Sequence, residues 1–332
     1  MAKITDWNKG LDKKGETPKE QSPETPLNIE TIKWGDLTWV NIGTATDREI
    51  SWLKDNYDFH PLALDDCLSR KQISKLDVYP GYLFFVFHYP FYHKEKRIAT
   101  KQQWAAFIGE NYIVTVNTVD LKTLGALFRD CTDNKDAREE HMKNGSGFLL
   151  YHILDRAVDS YFPVLDKILS LMEQLEDVVF DEEVEAAHEI SVLRRDIITQ
   201  RAVMFPTREL FKEMENKLKR FSKKDVTAYY NDLMDHMDKI CNTLDECKEI
   251  IEVFADADFR LGTDRVNRIL RVLNILATIA LPLIIVSSIF GMNVFMPGSI
   301  SEGNHTAFYI IMGVTVVVTG GMLYFFKRKR WI

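Results

Sequence analysis

Two long apolar segments lie near the C-terminus, and the residues before them have the mixed polar and apolar pattern of a water-soluble protein. The segments, 272–290 and 307–326, are close to the roughly 20 residues that an α-helix needs to cross a bilayer. Residues 291–306 form a short connection between them. The pattern therefore predicts a hairpin of two transmembrane helices attached to a large soluble body.

Residues 29–145 alternate strand-like and helix-like runs, which predicts a cytosolic mixed α/β domain with a buried sheet. Thr46 is placed to cap a helix whose apolar positions include Ile50 and Leu53. The strand-like runs are rich in aromatic and β-branched residues, and they cover residues 37–42, 82–89 and 104–116.

Apolar positions recur every three or four residues over 146–223, which predicts a cytosolic helical hairpin, with a break near Pro163. The predicted tip of this hairpin is acidic and has no lysine or arginine. Two interpretations remain open: a solvated tip, or a negative surface that concentrates divalent cations or binds basic residues elsewhere. The acids are Glu173, Glu176, Asp177, Asp181, Glu182, Glu183, Glu185 and Glu189.

Residues 224–290 contain no strong helix terminator, because Gly262 and Pro282 are the only breakers inside the segment. We predict one helix of roughly 100 Å at 1.5 Å per residue, which continues as the first membrane span. About 70 Å of it would lie outside the membrane as a stalk, and a helix of that length needs packing partners from this chain or from copies of it.

The composition of the tail, the net charge and the cysteines point to no additional chemistry in the soluble part. Residues 1–28 are polar without any apolar run, which predicts a disordered tail and no secretory signal. The formal net charge is −7. The four cysteines lack metal-binding spacing, so we expect free thiols in a reducing compartment. They are Cys67, Cys131, Cys241 and Cys247.

Charge placement predicts the orientation of the two spans. Basic residues precede the first span and follow the second, whereas residues 291–306 contain no lysine or arginine. The positive-inside rule places both termini in the cytoplasm, as in a multi-pass protein of the plasma (inner) membrane, with 307–332 as the second span and a basic cytosolic end. The basic residues are Arg260, Arg265, Arg268, Arg271 and Lys327 to Arg330.

One face of the long helix carries polar residues into the membrane. At about 100° per residue, five of them fall within a band about 60° wide, and three small or apolar residues lie on or beside it. Asn274 is inside the apolar segment, where an unpaired amide costs several kcal/mol. The stripe consists of Asp256, Thr263, Asn267, Asn274 and Ser288, with Leu270, Ala277 and Leu281 beside it.

Two interpretations of this stripe remain open: hydrogen bonds that hold a helix bundle together, or a water-filled pore. Two spans cannot enclose a pore, so a pore requires a cyclic homo-oligomer in which each residue becomes a ring. Asp256 would then give a ring of carboxylates and Asn267 a ring of amides. Apolar rings that can gate by dewetting would come from Leu270, Leu273 and Leu281.

Gly291 follows the last apolar turn, where a capping glycine belongs, and Asn293 lies just beyond it. Gly291-Met292-Asn293, the two spans and the terminal basic run with Trp331 resemble the CorA family of divalent-cation channels, the Mg²⁺ transporters. The resemblance covers nearly the whole chain after the tail. It continues upstream in residues 60–68, 75–77 and 82–84, and in Asp155, Asp159, Tyr161 and Phe162.

This resemblance implies an α+β fold: a cytosolic mixed α/β domain, a helical region, a very long stalk helix that becomes the pore helix, and a second span packed outside, assembled as a funnel-shaped homopentamer. Gly291, Met292 and Asn293 would form the external selectivity filter. By position, Asn267 and Asp256 match the family's pore amide and cytosolic carboxylate ring.

The resemblance also implies gating by internal Mg²⁺ bound by acids between neighbouring cytosolic domains. Asp232 and Asp235 lie on the long helix where one partner is expected. On the facing domain, where an acid is expected, the chain has His93 with Glu95 nearby. Glu302 is the only acid in the external loop, and it either draws cations to the mouth or is a solvated loop residue.

Three functions remain open: influx of Mg²⁺, with Co²⁺ or Ni²⁺ as further cargo; Zn²⁺ transport within the same family; and a non-conducting membrane-anchored sensor or structural role. An enzyme is not favoured, because His60, Asp65 and Asp66 sit at the start of a predicted helix, where Asp stabilises the positive dipole end. We expect Mg²⁺ as transported and regulatory ion, no organic cofactor and no nucleic acid. The expected partners are copies of the chain, membrane lipid and divalent cations.

Overall fold

The computed structural model describes residues 26–69, 74–93, 98–118, 122–181, 184–292 and 306–329. The chain divides into two compact units. Unit 1 comprises Met1–Lys167 and Asp196–Asp245, and unit 2 comprises Ile168–Arg195 and Glu246–Ile332. Residues 1–25 of the predicted tail lie outside the described residues.

Unit 1 contains a six-stranded sheet of order β1-β2-β6-β5-β4-β3. Strands β2 and β6 pair in parallel, and the other described neighbours pair antiparallel. The predicted mixed α/β domain is thus confirmed. The strands are β1 (Ile29–Trp34), β2 (Leu37–Ile42), β3 (Lys75–Tyr79), β4 (Tyr82–His93), β5 (Ile98–Gly109) and β6 (Tyr112–Asn117).

Nine α-helices occur among the described residues, and one turn of 3₁₀-helix, Lys219–Phe221, follows α7. The helices are α1 (Asp47–Asn56), α2 (Pro61–Leu68), α3 (Lys122–Asp133), α4 (Lys135–Met142), α5 (Ser146–Asp159), α6 (Phe162–Val179), α7 (Ala187–Leu218), α8 (Thr227–Phe290) and α9 (Thr306–Arg328).

The sheet is buried on both faces because apolar residues occupy both sides of its central strands. On one face Phe107 stacks on Phe59 with ring centroids 3.9 Å apart, in a cluster that includes Leu53 of α1. On the other face Trp39 packs edge-on against Phe128 of α3 at 4.9 Å. The predicted strand at 37–42 is confirmed, and the two aromatic runs form β4, β5 and β6.

Local capping explains where the first two helices begin. Thr46 caps α1 with a reciprocal capping box to Glu49, as predicted. His60 caps α2 through its Nδ1, which accepts the Leu62 N–H at 3.2 Å. The expectation that Asp65 and Asp66 stabilise the start of this helix is wrong, because α2 has no acid in its first turn.

Helix α8 is continuous over 64 residues, about 96 Å at 1.5 Å per residue, so the predicted long helix is confirmed. The Asp225 carboxylate accepts the Thr227 N–H at 3.0 Å and sets the first residue of the helix. Pro282 lies inside it without ending it. Both α8 and α9 contain stretches long and apolar enough to cross a membrane.

Two ion pairs in unit 1 join α7 to α8. Arg201 pairs with Asp245, and Arg208 pairs with Asp238. The partners are seven residues apart on each helix, two turns, so both pairs lie along one line of contact. These pairs fix the register between the two helices in this unit.

The four cysteines are free and buried, as expected from their spacing. Burial raises the pKa of the Cys131 and Cys241 thiols to about 11 and also raises those of Cys67 and Cys247. The thiolate is the reactive form, so these cysteines are chemically quiet at neutral pH.

Replacing Gly147 with alanine should destabilise unit 1. A Cβ atom there would lie 2.9 Å from the backbone oxygen of Leu218 and 3.2 Å from the Phe221 carbonyl carbon, and backbone cannot move aside cheaply. We expect a loss of about 1–3 kcal/mol, seen as a lower midpoint of thermal unfolding by tryptophan fluorescence. The matched control is Gly262→Ala, where a Cβ meets nothing within 4 Å. An equal loss in both variants would contradict the packing argument.

Candidate functional site

The predicted pore-lining residues all lie on α8, and all of them are exposed in the single chain. The large apolar members are about half exposed: Leu270 48%, Leu273 55% and Leu281 55%. The stripe therefore has no cover from the described part of its own chain. The full set of predicted pore-lining residues is Asp256, Thr263, Asn267, Leu270, Leu273, Asn274, Ala277, Leu281 and Ser288.

The opposite face of α8 in unit 2 is covered. Ile251 is fully buried, Phe254 is 5% exposed, and Asp258 accepts a hydrogen bond from the Ala186 N–H. At 100° per residue these positions lie roughly 140–200° around the helix from Asn267. The polar stripe is thus turned away from the side by which the helix is held.

The side-chain amides of the two asparagines of the stripe make no hydrogen bond to the described residues. In contrast, the hydroxyls of two threonines on α8 form hydrogen bonds to the backbone. Thr263 Oγ1 donates to the Phe259 carbonyl at 2.9 Å, and Thr278 Oγ1 donates to the Asn274 carbonyl at 2.7 Å. An unpaired amide at membrane depth costs several kcal/mol. Partners for the side chains of Asn267 and Asn274 must therefore come from outside the described residues, such as water or another chain.

The part of the stripe from Asn267 to Asn274 borders an open groove in unit 2. The groove has a volume of about 710 Å³, and Ile275 of α8 and Phe326 of α9 are its buried apolar lining. Polar side chains lining it can hold water beside the helix. The α8 residues that line it are Asp264, Asn267, Arg268, Leu270, Arg271, Asn274, Ile275 and Thr278.

Helix α8 ends where the predicted filter begins. The Gly291 N–H donates to the Ser287 carbonyl at 2.9 Å, and a Cβ on Gly291 would come within 3.0 Å of that oxygen. Met292 is 57% exposed. Asn293 and Glu302 lie outside the described residues.

A second set of candidate residues lies in unit 1. Asp155 of α5 and Asp232 and His236 of α8 place one ligand atom each within 4.8 Å of one another. Asp235, the other acid predicted there, is not in this group. The side chain of His93 and all of Glu95 lie outside the described residues.

The electrostatics of this cluster suit a cation. Burial raises the pKa of the Asp155 carboxyl, and the nearby charges of Asp159 and Asp232 raise it further while His236 lowers it. His236 Nδ1 also lies 3.6 Å from an Asp159 carboxylate oxygen. The two carboxylates are ligands that suit Mg²⁺, and the imidazole beside them is a ligand that suits transition metals and Zn²⁺.

The sequence alone pointed only to part of this cluster. The i, i+4 spacing of Asp232 and His236 on a predicted helix was a usable signal, because such residues share one face. Nothing in the sequence places Asp155 beside them.

Comparison with known proteins identifies the chain. Residues 34–328 match the profile of the family described as CorA-like Mg²⁺ transporter protein. The chain belongs to the CorA family. Members of this family are divalent-cation transporters of the inner membrane, with two C-terminal transmembrane helices and a cytoplasmic domain, and this CorA-family protein is not an enzyme.

Among curated relatives, YfjQ of Bacillus subtilis is 28% identical over 309 residues, which is 92% of this chain and 93% of that protein. The cobalt/magnesium transport protein CorA of Thermotoga maritima is 26% identical, over 89% of this chain and 83% of that protein. The zinc transport protein ZntB of Pectobacterium carotovorum is 23% identical, over 59% of this chain and 60% of that protein.

The fold is shared with a solved structure, that of the CorA magnesium transporter from Methanocaldococcus jannaschii. The TM-score is 0.74 at 22% identity, over 91% of this chain and 94% of that chain. The α+β fold with a long helix and two C-terminal apolar helices is therefore the CorA fold.

Proposed function

We propose that this CorA-family protein carries Mg²⁺ into the cell, through a pore lined by the stripe of α8. The observation that carries the proposal is the exposed polar stripe on the face of α8 opposite its packed side. A helix used only as an anchor needs no polar residues in phase from Asp256 to Asn274.

The pore requires several copies of the chain, because two spans cannot enclose a water-filled path. A homopentamer, as the family resemblance implies, would place five copies of α8 around the axis, with α9 and lipid outside. The unpaired amides of Asn267 and Asn274 then face water or neighbouring copies, which removes the cost of burying them unpaired.

Ion choice rests on the Gly291-Met292-Asn293 segment at the outer end of α8. Mg²⁺ holds its water strongly, so a ring of neutral Asn293 amides can bind the hydrated ion through its water shell. Carboxylates at this point would hold the ion more tightly and slow its release. Inward movement of a divalent ion gains about 4.6 kcal/mol per 100 mV, twice the value for one charge.

Closure has two parts in this proposal. Rings of Leu270, Leu273 and Leu281 form apolar constrictions that exclude water when narrow. The cluster of Asp155, Asp232 and His236 binds cytosolic Mg²⁺, and the bound ion favours the closed state. A ligand can shift this equilibrium only by its difference in affinity for the two states.

Zinc is the second candidate cargo, since ZntB proteins are among the relatives. We expect Mg²⁺ uptake into proteoliposomes to be inhibited by external Co²⁺ at lower concentrations than by Zn²⁺, because the filter offers amide oxygens and no thiol or imidazole. The measurement is influx reported by a Mg²⁺-sensitive dye inside the vesicles. Uptake of Zn²⁺ without uptake of Mg²⁺ would reverse the assignment of the cargo, and no uptake of either ion would favour the non-conducting role.

A further inference from the structure

The turn between α6 and α7 is attached to α8 at several points within unit 2. Phe180 packs edge-on against Phe254 with ring centroids 6.4 Å apart. Arg265 of α8 donates from Nη2 to the backbone carbonyls of Asp181, at 3.1 Å, and Val184, at 2.7 Å. One guanidinium nitrogen therefore joins two carbonyls of the turn.

A second contact holds the start of α7. The Asp258 carboxylate accepts the Ala186 N–H at 3.2 Å, next to the first residue of α7. A carboxylate is favoured at a helix N-terminus by the helix dipole. Asp258 and Arg265 are seven residues apart, so they lie on the same face of α8. Together they form a clasp, defined here as these two side chains and the backbone they bind.

The clasp gives a role to the acidic tip. The turn and its flanking helices carry acids such as Asp177, Asp181 and Glu185. These charges favour a guanidinium beside them, and hydrogen bonds from a charged donor are stronger than those between neutral groups. Arg265 of α8 thus binds the backbone of a segment that carries acidic side chains.

The clasp lies directly behind the proposed pore face. Arg265 precedes Asn267 by two residues, about 3 Å along the axis and roughly 160° around the helix. A helix is stiff over half a turn, so whatever holds the Arg265 side sets the direction of the Asn267 side chain.

We infer that Arg265 is a positioning residue for transport: by binding the turn between α6 and α7, it sets the rotation of α8 and thus the orientation of the Asn267 ring. The inference rests on the proposed function, because it assumes that the stripe of α8 lines the pore. A change in the position of the turn would therefore rotate α8 through the hydrogen bonds of Arg265, and this rotation would reorient the Asn267 side chains.

The test compares three variants of the full-length protein in proteoliposomes. Arg265→Ala removes both hydrogen bonds, and Arg265→Lys keeps a charged donor. Arg260→Ala removes the same charge from an exposed position of the same helix, where the arginine makes no hydrogen bond or ion pair with the described residues. The readout is the internal Mg²⁺ concentration that halves Mg²⁺ uptake. We expect this concentration to rise at least about threefold in Arg265→Ala, to be partly restored in Arg265→Lys, and to be unchanged in Arg260→Ala.

A second pair of variants covers the case in which Arg265→Ala fails to assemble. Asp258→Asn keeps an oxygen that can accept the Ala186 N–H, whereas Asp258→Ala does not. We expect Asp258→Ala to raise the half-inhibiting concentration and Asp258→Asn to leave it near the wild-type value. Hydrogen exchange of the peptide that contains the Ala186 amide should be faster in Asp258→Ala only.

The outcomes separate this inference from the proposed function. Absence of uptake by the wild-type protein would reject the proposed function, and the inference with it. Normal uptake by the wild type, with the same half-inhibiting concentration in Arg265→Ala and Asp258→Ala, would reject the role of the clasp alone. A change of equal size in Arg260→Ala would show that only the charge near the membrane matters, and it would also overturn the inference.

Discussion

Replacing Asn293 with alanine is expected to reduce Mg²⁺ uptake to the background of empty vesicles while the oligomer still forms. The reason is that alanine offers no oxygen to the water shell of the ion, and Mg²⁺ gives up that shell reluctantly. In a ring every copy loses its amide at once, so the effect is multiplied by the number of subunits. Uptake is measured in proteoliposomes under an inside-negative potential, and assembly by gel filtration with light scattering.

The matched control for this experiment is Asn304→Ala. Asn304 lies in the same connection between the spans, and its replacement by alanine removes the same kind of side-chain group, an amide. We expect Asn304→Ala to keep near-normal uptake. Normal uptake by Asn293→Ala would show that the filter lies elsewhere or that the protein does not select ions at this loop.

Removing ligands from the Asp155, Asp232 and His236 cluster is expected to weaken closure by internal Mg²⁺. The three ligand atoms lie within 4.8 Å of one another, so one ion can contact all of them. We expect Asp232→Asn combined with His236→Ala to raise the half-inhibiting internal Mg²⁺ concentration by about tenfold or more, since even indirect partners of a metal change its affinity by 10–100-fold.

Asp235→Asn decides between the assignments made from sequence and from structure. It removes the same charge as Asp232→Asn from the same helix, but Asp235 is not in the cluster. If the cluster holds the inhibitory ion, Asp235→Asn changes inhibition little. A large effect of Asp235→Asn, with none from the Asp232→Asn and His236→Ala double variant, would return the site to the position expected from family resemblance.

The pH dependence gives a second readout for the same site. Burial and neighbouring acids raise the pKa of Asp155, so this carboxyl takes up a proton at a higher pH than an ordinary aspartic acid. A metal needs the deprotonated carboxylate and the neutral imidazole. Inhibition by internal Mg²⁺ should therefore weaken as the internal pH falls from 7 towards 5.5. Stronger inhibition at the lower pH would contradict the assignment.

Features set by local sequence could be predicted. The capping box at Thr46 depends on residues three apart, and the length of α8 follows from the lack of a terminator between Asp225 and Gly291. Strands β1 and β3 could not be predicted because they lie at the two edges of the sheet, where polar residues interrupt the apolar pattern. Edge strands lack the continuous apolar runs of buried ones.

Features set by distant contacts could not be predicted. Asp155 and Asp232 belong to helices separated by α6 and α7 in the chain, and only packing brings them together. The same holds for Arg265, which the sequence marked only as one of four basic residues before the membrane. Its hydrogen bonds to the Asp181 and Val184 carbonyls involve backbone atoms, which leave no trace in residue type.

The buried cysteines make this protein unusually convenient for chemical mapping. With a thiol pKa of about 11 for Cys131 and Cys241, only about one molecule in 10⁴ carries the reactive thiolate at pH 7, and burial shields it further. A single cysteine introduced at any exposed position of α8 would thus be the dominant site of labelling by a water-soluble thiol reagent. Because the native thiols react little with such a reagent, the water path along α8 can be mapped one residue at a time without first replacing the native cysteines.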